Sequence, residues 1–577
     1  MAAKRFIATS MLLLFFARMR ASVLHAMEPS VSMLPPGWKV AGPAPRTQMM
    51  ELTFAVKQQG LQELTKHVLR TSDPSSPDYG EHLANDDVQR LTAPQPHHLQ
   101  AVETFLRQKG LHPRRATPNG DFVVATVTIT EAEELLSTRY VTLVHNKGSQ
   151  VSRVLEGYQL PAEVAAAVDF VAPTTHVPDV RWSSNDEAAA QGANASIPDL
   201  SLFNSPKNLR SLYQVGSSEG KAASNKQAVT AFLNQGYSER SLKGFWLLMC
   251  GGIHCGKGSP KLVGDKTKGL PGVESMLDIE TVTGVAGNVE SEFWGFAGKS
   301  PDNPQNEPFL KWLMQLSSTS DADVPKIFST SYGEDEGSWS LAAAQRLNVE
   351  FQKAGARGIS LLFASGDSGP NCRDGKFRPN GPASSPWVTA VGGTSQGKTW
   401  PKPGPDAETG VGLSSGGFSN YWPMPDWQKD AVAGYLKQSG VPDAASKGYN
   451  TSGRAFPDIS AQAVMFFVVA GIPQPGVSGT SCASPTAAGV FTLLNDLRFQ
   501  QGKSTLGFLN PFIYAHPEAF SDITTGAGRG SCGEWPAKKG WDAVTGIGTP
   551  NYKALAEAVA KLPPGRQPFS LVTEVIV

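Results

Sequence analysis

The sequence has little charge, and the charge it has is balanced. Asp, Glu, Lys and Arg make up 18% of its 577 residues, 51 of them basic and 51 acidic, against about 25% in soluble proteins generally. No run or stripe of Lys and Arg stands out, which argues against nucleic acid as a partner. Long apolar runs are also missing. The one at residues 6–17 falls short of the roughly 20 residues that cross a bilayer. It follows Lys4 and Arg5 and precedes the small residues Ala21, Ser22 and Ala26. That order reads as a secretory leader, residues 1–26, with no membrane span expected in the mature chain. Asn194-Ala195-Ser196 and Asn450-Thr451-Ser452 are glycosylation acceptors by pattern and suit the same route.

Cysteine and histidine are scarce too. Five cysteines leave at least one unpaired if every bridge is internal, and Cys482 is the candidate. Cys250 and Cys255 are near enough in sequence to bridge locally, and Cys372 could reach Cys532. A zinc site has only His254 to support it and ranks below a disulfide. Of the ten histidines, eight lie at or before residue 176, so His254 and His516 alone remain beyond residue 206. Neither stands in a His-Gly-Thr/Ser-His setting. A nucleophile in that part of the chain needs a different base.

Such a nucleophile is offered by Val-Ser-Gly-Thr-Ser-Cys-Ala-Ser-Pro at residues 477–485. An apolar run, 464–470, precedes it and an apolar-periodic segment, 486–499, follows, so the sequence reads strand, tight glycine turn, helix. Ser481 is expected on the turn, with Pro485 in the first turn of the helix, where a missing N–H costs nothing. A serine there lies among the free amide donors of a helix N-terminus, placed to attack a carbonyl. The plainer reading is a capping serine.

Acidic groups could serve it as base. In Gly-Val-Glu-Ser-Met-Leu-Asp-Ile-Glu (272–280), Glu274 and Asp278 share one face of a helix, with Val273 and Leu277 as an adjacent apolar stripe toward the core. Neighbouring carboxylates disfavour double ionisation, so one keeps its proton to higher pH. A solvated acidic face would show the same spacing. In Phe-Ala-Ser-Gly-Asp-Ser-Gly (363–369) an apolar strand ends in a glycine turn carrying Asp367. When protonated, that carboxyl can donate a hydrogen bond to an oxyanion; an Asx-turn aspartate is the alternative.

Three regions follow the leader. Residues 27–172 are mixed, helical at 61–69 and 86–91 and strand-like at 122–129, with the turn-rich Ser-Asp-Pro-Ser-Ser-Pro-Asp-Tyr-Gly at 72–80. From 173 to 206, Ser, Asn, Asp, Ala and Pro dominate, as in an exposed linker. A foldable segment ahead of a cuttable linker reads as a pro-domain, with a permanent accessory domain as the alternative. From 207 to 577, buried-looking strands at 326–330, 359–364 and 388–391 alternate with a helical pattern at 341–354. This predicts an α/β fold, a mostly parallel sheet flanked by helices, with functional groups at the carboxyl ends of its strands. The Gly- and Lys-rich stretch 250–268 is expected to be a surface loop.

Together these pieces resemble the sedolisin family, the serine-carboxyl peptidases, over nearly the whole chain after the leader. The matching stretches are 72–83, 272–278, Ser331-Tyr332-Gly333, 363–369, 378–394, Gly416-Gly417-Phe418-Ser419-Asn420, Ala455-Phe456-Pro457-Asp458 and 477–485. The resemblance implies a subtilisin-like catalytic domain preceded by a small α+β pro-domain that inhibits it within the same chain. It implies Ser481 as nucleophile, Glu274 as general base, Asp278 as the group orienting Glu274, and Asp367 as oxyanion donor. The implied activity is peptide cleavage in acid, releasing tripeptides from free N-termini or cutting internally; an inactive peptide-binding relative would not keep all four residues. One structural calcium ion is implied in the C-terminal loops, held by Asp522 and Asp542 with main-chain oxygens of Ile523, Lys538 and Gly540. Hard oxygen ligands of this kind suit calcium. Lys538 departs from the family, which has glycine there. The implied destination is the secretory route, to a lysosome, an acidic vacuole or the exterior.

Overall fold

The computed structural model describes residues 23–35, 37–146, 150–177, 199–298, 300, 307–396 and 408–566. The expected leader up to residue 22, the acceptor at Asn194 and most of the expected linker therefore lie outside the described residues.

The alternation in the second half builds an eight-stranded sheet. Its strands are β1 (Lys226–Ala231), β2 (Lys261–Val263), β3 (Glu290–Gly295), β4 (Ile327–Thr330), β5 (Ser360–Ala364), β6 (Thr389–Ser395), β7 (Thr409–Gly410) and β8 (Ile459–Gln462). In space they run β2-β3-β1-β4-β5-β6-β7, with β8 also paired to β6. All pairings are parallel except β6 with β7. Parallel strands covered on both faces lose the inside-outside alternation, which is why 359–364 reads as one apolar run. Leu362 joins the core on one face while Leu361 and Phe363 join the core on the other. The stretch 250–268 is not wholly a surface loop, because it contributes β2 to the edge of this sheet.

Three helices matter for the site: α1 (Val273–Ala286), α2 (Leu341–Ala356) and α3 (Thr480–Gln500). α1 and α3 share one core cluster with Val229 and Leu362. The expectation of a single apolar stripe on α1 is overtaken: every residue from Ser275 to Ala286 is buried. Close packing against α3 does this, since a Cβ on Gly489 would come within 2.8 Å of the Val285 side chain. Cys250–Cys255 and Cys372–Cys532 are bridged, and Cys482 is buried and unpaired. His254, the one support for zinc, is paired instead with Glu219 at 3.0 Å.

The N-terminal region is a separate α+β unit. Strands Arg114–Arg115, Phe122–Thr128, Met49–Val56 and Val168–Ala172 form an antiparallel sheet around Leu52, Phe54, Val123 and Val127. Helix Ile129–Leu136 starts on a capping box, with the Thr128 hydroxyl accepting from Glu131 and the Glu131 carboxylate accepting from Thr128. Two edges differ from the sequence reading. Strand Leu24–Glu28, partly inside the expected leader, pairs with Tyr158–Pro161. Residues 173–177, expected as linker, close onto the same unit: Thr174 donates to Glu28 at 3.0 Å, and Val177 is buried with Trp38 and Leu143. At the linker's other end the Asn204 N–H donates to the Met465 carbonyl at 2.7 Å.

This unit docks on α2 through buried charge. Lys353 Nζ lies 2.6 Å from Asp121 and 2.8 Å from Glu350, and Arg346 lies 3.2 Å from Asp121 with its guanidinium over Phe122. Burial alone would raise the Asp121 carboxyl, but Lys353 and then Arg346 outweigh it and hold it well below the usual carboxylate range. Breaking a buried pair from one side leaves uncompensated charge, at a cost of about 3–5 kcal/mol. Asp121→Ala should therefore lower the unfolding temperature of the full-length chain by that order; an unchanged transition would show that the network adds nothing to docking.

Candidate active site

α1 opens after Gly272 and carries Glu274 in its first turn, half-buried, and Asp278 one turn later, fully buried. The Ser331 hydroxyl, just past the end of β4, donates to Asp278 Oδ1 at 2.6 Å. Burial first and the adjacent Glu274 charge second push Asp278 well above its usual range, while the Ser331 bond pulls it back. Asp278 is thus a carboxyl that keeps its proton to higher pH than a free one, as the four-residue spacing predicts.

The nucleophile stretch differs in detail from the expectation. Strand Phe466–Ala470 does not lead straight into the turn; it pairs in a hairpin with Ile472–Val477, and that second strand leads to Gly479. Ser481 is not on the turn but is the second residue of α3, buried to 5% exposure, with Thr480 ahead of it. Pro485 consequently lies inside the helix and cannot donate to the carbonyl four residues back, that of Ser481. The Ser331 hydroxyl lies 3.4 Å from that same oxygen. One serine therefore touches both the acid pair and the main chain of Ser481.

Asp367 follows β5. Its Oδ1 accepts from the Thr480 N–H at 2.7 Å and the Thr480 hydroxyl at 2.8 Å, and the Thr480 oxygen accepts from the Gly366 N–H at 3.0 Å. The loop is clamped to the first turn of α3. Asp367 Oδ2 faces Gly479, where any Cβ would come within 2.8 Å of it, so only glycine leaves room.

Cys482 reports the convergence. Burial pushes its thiol well up, and the charges of Glu274, Asp367 and Asp278 push in the same direction. All three carboxyls singled out in the sequence thus act on the residue beside Ser481. Tyr332 is likewise pushed up by burial, then by Glu274 and Asp278, with Glu307 adding to them. His516 pairs with Glu518 at 3.1 Å and His254 with Glu219, so each remaining imidazole has a partner elsewhere. Ser331, Thr480, Tyr332 and Glu307 were not among the expected site residues. Ser331-Tyr332-Gly333 was visible as a pattern, but its partner Asp278 is 53 positions away.

In the C-terminal segment Asp522 and Asp542 bracket the turn at 538–540. Asp522 accepts from the Gly540 N–H at 2.8 Å, and Asp542 accepts from the amides of Lys538, Val544 and Thr545 at 2.8–2.9 Å. Burial pushes the Asp542 carboxyl up to about 7, and the groups that oppose this are hydrogen-bond donors, not a cationic side chain. Among the described residues no cluster of three or more His, Cys, Asp or Glu could hold a metal. A hard cation between the two aspartates would need main-chain oxygens and would supply the countercharge that Asp542 lacks, so the residues present fit calcium.

Comparison with known proteins places the chain in a family. The pro-kumamolisin activation domain matches residues 36–177, and the subtilase family matches residues 284–505. Tripeptidyl-peptidase 1 of Canis lupus familiaris is 37% identical over 554 residues, covering 92% of this chain and 94% of that protein. Tripeptidyl-peptidase 1 of Homo sapiens is 36% identical over 549 residues, covering 91% and 94%. A solved Pseudomonas sedolisin, a serine-carboxyl proteinase, matches with a TM-score of 0.50 at 23% identity, over 63% of this chain and 99% of that one, and speaks for the fold. With over a third of its residues shared across nine-tenths of its length, the chain belongs to the sedolisin family of serine-carboxyl peptidases, a relative of tripeptidyl-peptidase 1.

Proposed function

We propose that the chain is the zymogen of an acid-acting peptidase that releases tripeptides from free N-termini, with Ser481 as its nucleophile. The observation that carries this reading is the convergence on the first turn of α3 of Asp367, bonded to Thr480, and of Asp278, linked through the Ser331 hydroxyl to the Ser481 carbonyl. Ser481 Oγ attacks the scissile carbonyl carbon as Glu274 takes its proton. Asp278, protonated and held by Ser331, steadies the Glu274 carboxylate. The oxyanion is met by the Ser481 N–H and by the protonated Asp367 carboxyl, which Thr480 holds at the start of α3. Proton transfer from Glu274 to the amine leaving group yields the acyl-enzyme, which water then releases. Tripeptide specificity follows from the likeness to tripeptidyl-peptidase 1; internal cutting by the same chemistry is the alternative.

Residues 1–26 serve as leader and 27–172 as inhibitory pro-domain, with processing within 173–206, leaving 207–577 as the peptidase domain. Calcium would be held by Asp522 and Asp542 with main-chain oxygens of Ile523, Lys538 and Gly540, where its contribution is charge compensation for a buried carboxylate. A secretory route to an acidic compartment suits both the leader and an oxyanion donor that works only when protonated.

Mass spectrometry of an unblocked peptide incubated with acid-treated protein should show a ladder of three-residue losses, absent above neutral pH. Ser481→Ala should abolish it and leave the chain full length in acid, whereas continued turnover would remove the serine from its role. Ser331→Ala should lower kcat by about ten- to a hundredfold, the worth of a hydrogen bond to an ionisable group. It should also move the alkaline limb of the pH profile upward, since the bond that restrains Asp278 is gone; Ser331→Thr should restore both. Finally, a calcium chelator should lower the unfolding temperature of the Ser481→Ala chain reversibly, and Asp542→Asn should make it insensitive; equal unfolding with and without chelator would exclude a structural ion.

A further inference from the structure

Away from the active site, one side chain of the N-terminal unit is buried inside the peptidase domain. His82, in the turn-rich stretch 72–83, packs against Gly358 ahead of β5 and Gly507 after α3. A Cβ on Gly358 would come within 2.5 Å of the ring, and one on Gly507 within 2.6 Å. Both glycines also have positive φ, +72° and +68°, so the slot is open because neither carries a side chain. The neighbouring chain is tied down with it: Tyr79 donates to the Leu506 carbonyl at 3.2 Å, and the Leu83 N–H to the Ala356 carbonyl at 2.8 Å.

We propose that His82 and this glycine-lined slot form an acid-released plug, docking the pro-domain while the imidazole is neutral and freeing it when the ring takes a second proton. His82 Nε2 lies 3.0 Å from the Thr505 carbonyl, which can only accept, so Nε2 holds the proton of the neutral ring. Nδ1 is buried and has no hydrogen-bond partner. A second proton therefore creates a buried N–H with nothing to receive it, the kind of group that costs a full desolvation penalty. The charged groups acting on the ring from the surrounding elements are Lys326 and Arg498 of the peptidase domain and His67 of the pro-domain helix Leu61–Ser72. All three oppose the added charge. Lys326 lies 4.0 Å from Asp321, but that carboxylate is already engaged by Arg357 at 2.9 Å and by the Asn85 N–H at 2.6 Å.

Burial first, and then these cations, hold His82 down to about 4 while docked, with the Thr505 carbonyl alone opposing them; a free histidine titrates near 6.5. The sign follows: docking free energy from the neutral ring is complete above about 6.5 and is lost as pH falls toward 4. The ion network on α2 does not titrate in that sense. Asp121 is held well below the usual range and stays ionised across the window. Glu350 is raised by burial, and protonating it relieves a cost instead of creating one. Neither Asp121 nor Glu350 therefore supplies the acid step assigned to His82.

This inference rests on the zymogen reading, and its test does not use catalysis. Hydrogen exchange of the Leu83 amide is followed against pH in full-length Ser481→Ala protein, which cannot cut itself. Protection should be lost with a midpoint between about 6.5 and 4. In Ser481→Ala/His82→Gln, where glutamine can still donate to Thr505 but cannot titrate, the midpoint should fall by about one pH unit or more. Coincident midpoints in the two chains would overturn the proposal. If the glutamine chain fails to fold, a midpoint outside the window in the Ser481→Ala chain does the same. Failure here leaves the peptidase reading intact, because that reading stands or falls on the cleavage ladder.

Discussion

The contact between α1 and α3 sets the rest of the site. Both helices are buried for most of their length, and Gly489 lets the second approach Val285 of the first with no side chain between them. That approach fixes the acid pair beside the first turn of α3. Interiors are close-packed and respond to even one added methylene, so the separation between acid and serine is set by core packing and not by a flexible loop. The remaining acidic group, Asp367, arrives from the sheet side and is tied to the same turn through Thr480. Three elements distant in sequence meet at one helix start because a parallel sheet delivers the carboxyl ends of its strands there.

Buried carboxyls are not confined to the acid pair. Besides Asp278, Glu280 is raised well above its usual range by burial, and Asp458 is raised by burial against the pull of Arg454. Carboxyls with raised values favour the folded state where they are protonated and lose that contribution as pH rises through them. The interior thus suits an acidic surrounding, as does the low surface charge. Docking of the N-terminal unit uses two different devices on one face of the peptidase domain: a charge network on α2 that resists acid, and a neutral ring in a slot that does not.

What was legible in the sequence is what depends on near neighbours along the chain. The strands at 326–330 and 359–364 and the helix at 341–354 lie within two residues of their observed bounds, while the strand at 388–391 runs on to Ser395; burial on both faces leaves continuous apolar runs. Glu274 and Asp278 were readable because helical periodicity puts them on one face. The helix that carries Ser481 is legible, but not its start: Pro485 reads as a first-turn residue, whereas it lies inside the helix and Ser331 stands beside the carbonyl that it leaves unserved. Ser331, Thr480 and the His82 slot were invisible for one common reason. Each acts on a residue brought near only by the fold, across 53, 113 and 423 positions, and single-sequence periodicity carries no information at that range.

The Cys372–Cys532 bridge joins the loop just after Asp367 to the C-terminal segment, 160 residues further on. Beside it, Gly369 lies so close to the Arg529 backbone that a Cβ would come within 2.3 Å, and Ser414 donates to the Val544 carbonyl at 2.7 Å. The tail therefore works as a buttress: the loop after β5 and the stretch around Ser414 lean on residues 529–544. Injury to the far end of the polypeptide, by nicking or truncation, would be felt at the loop that carries Asp367 through this brace.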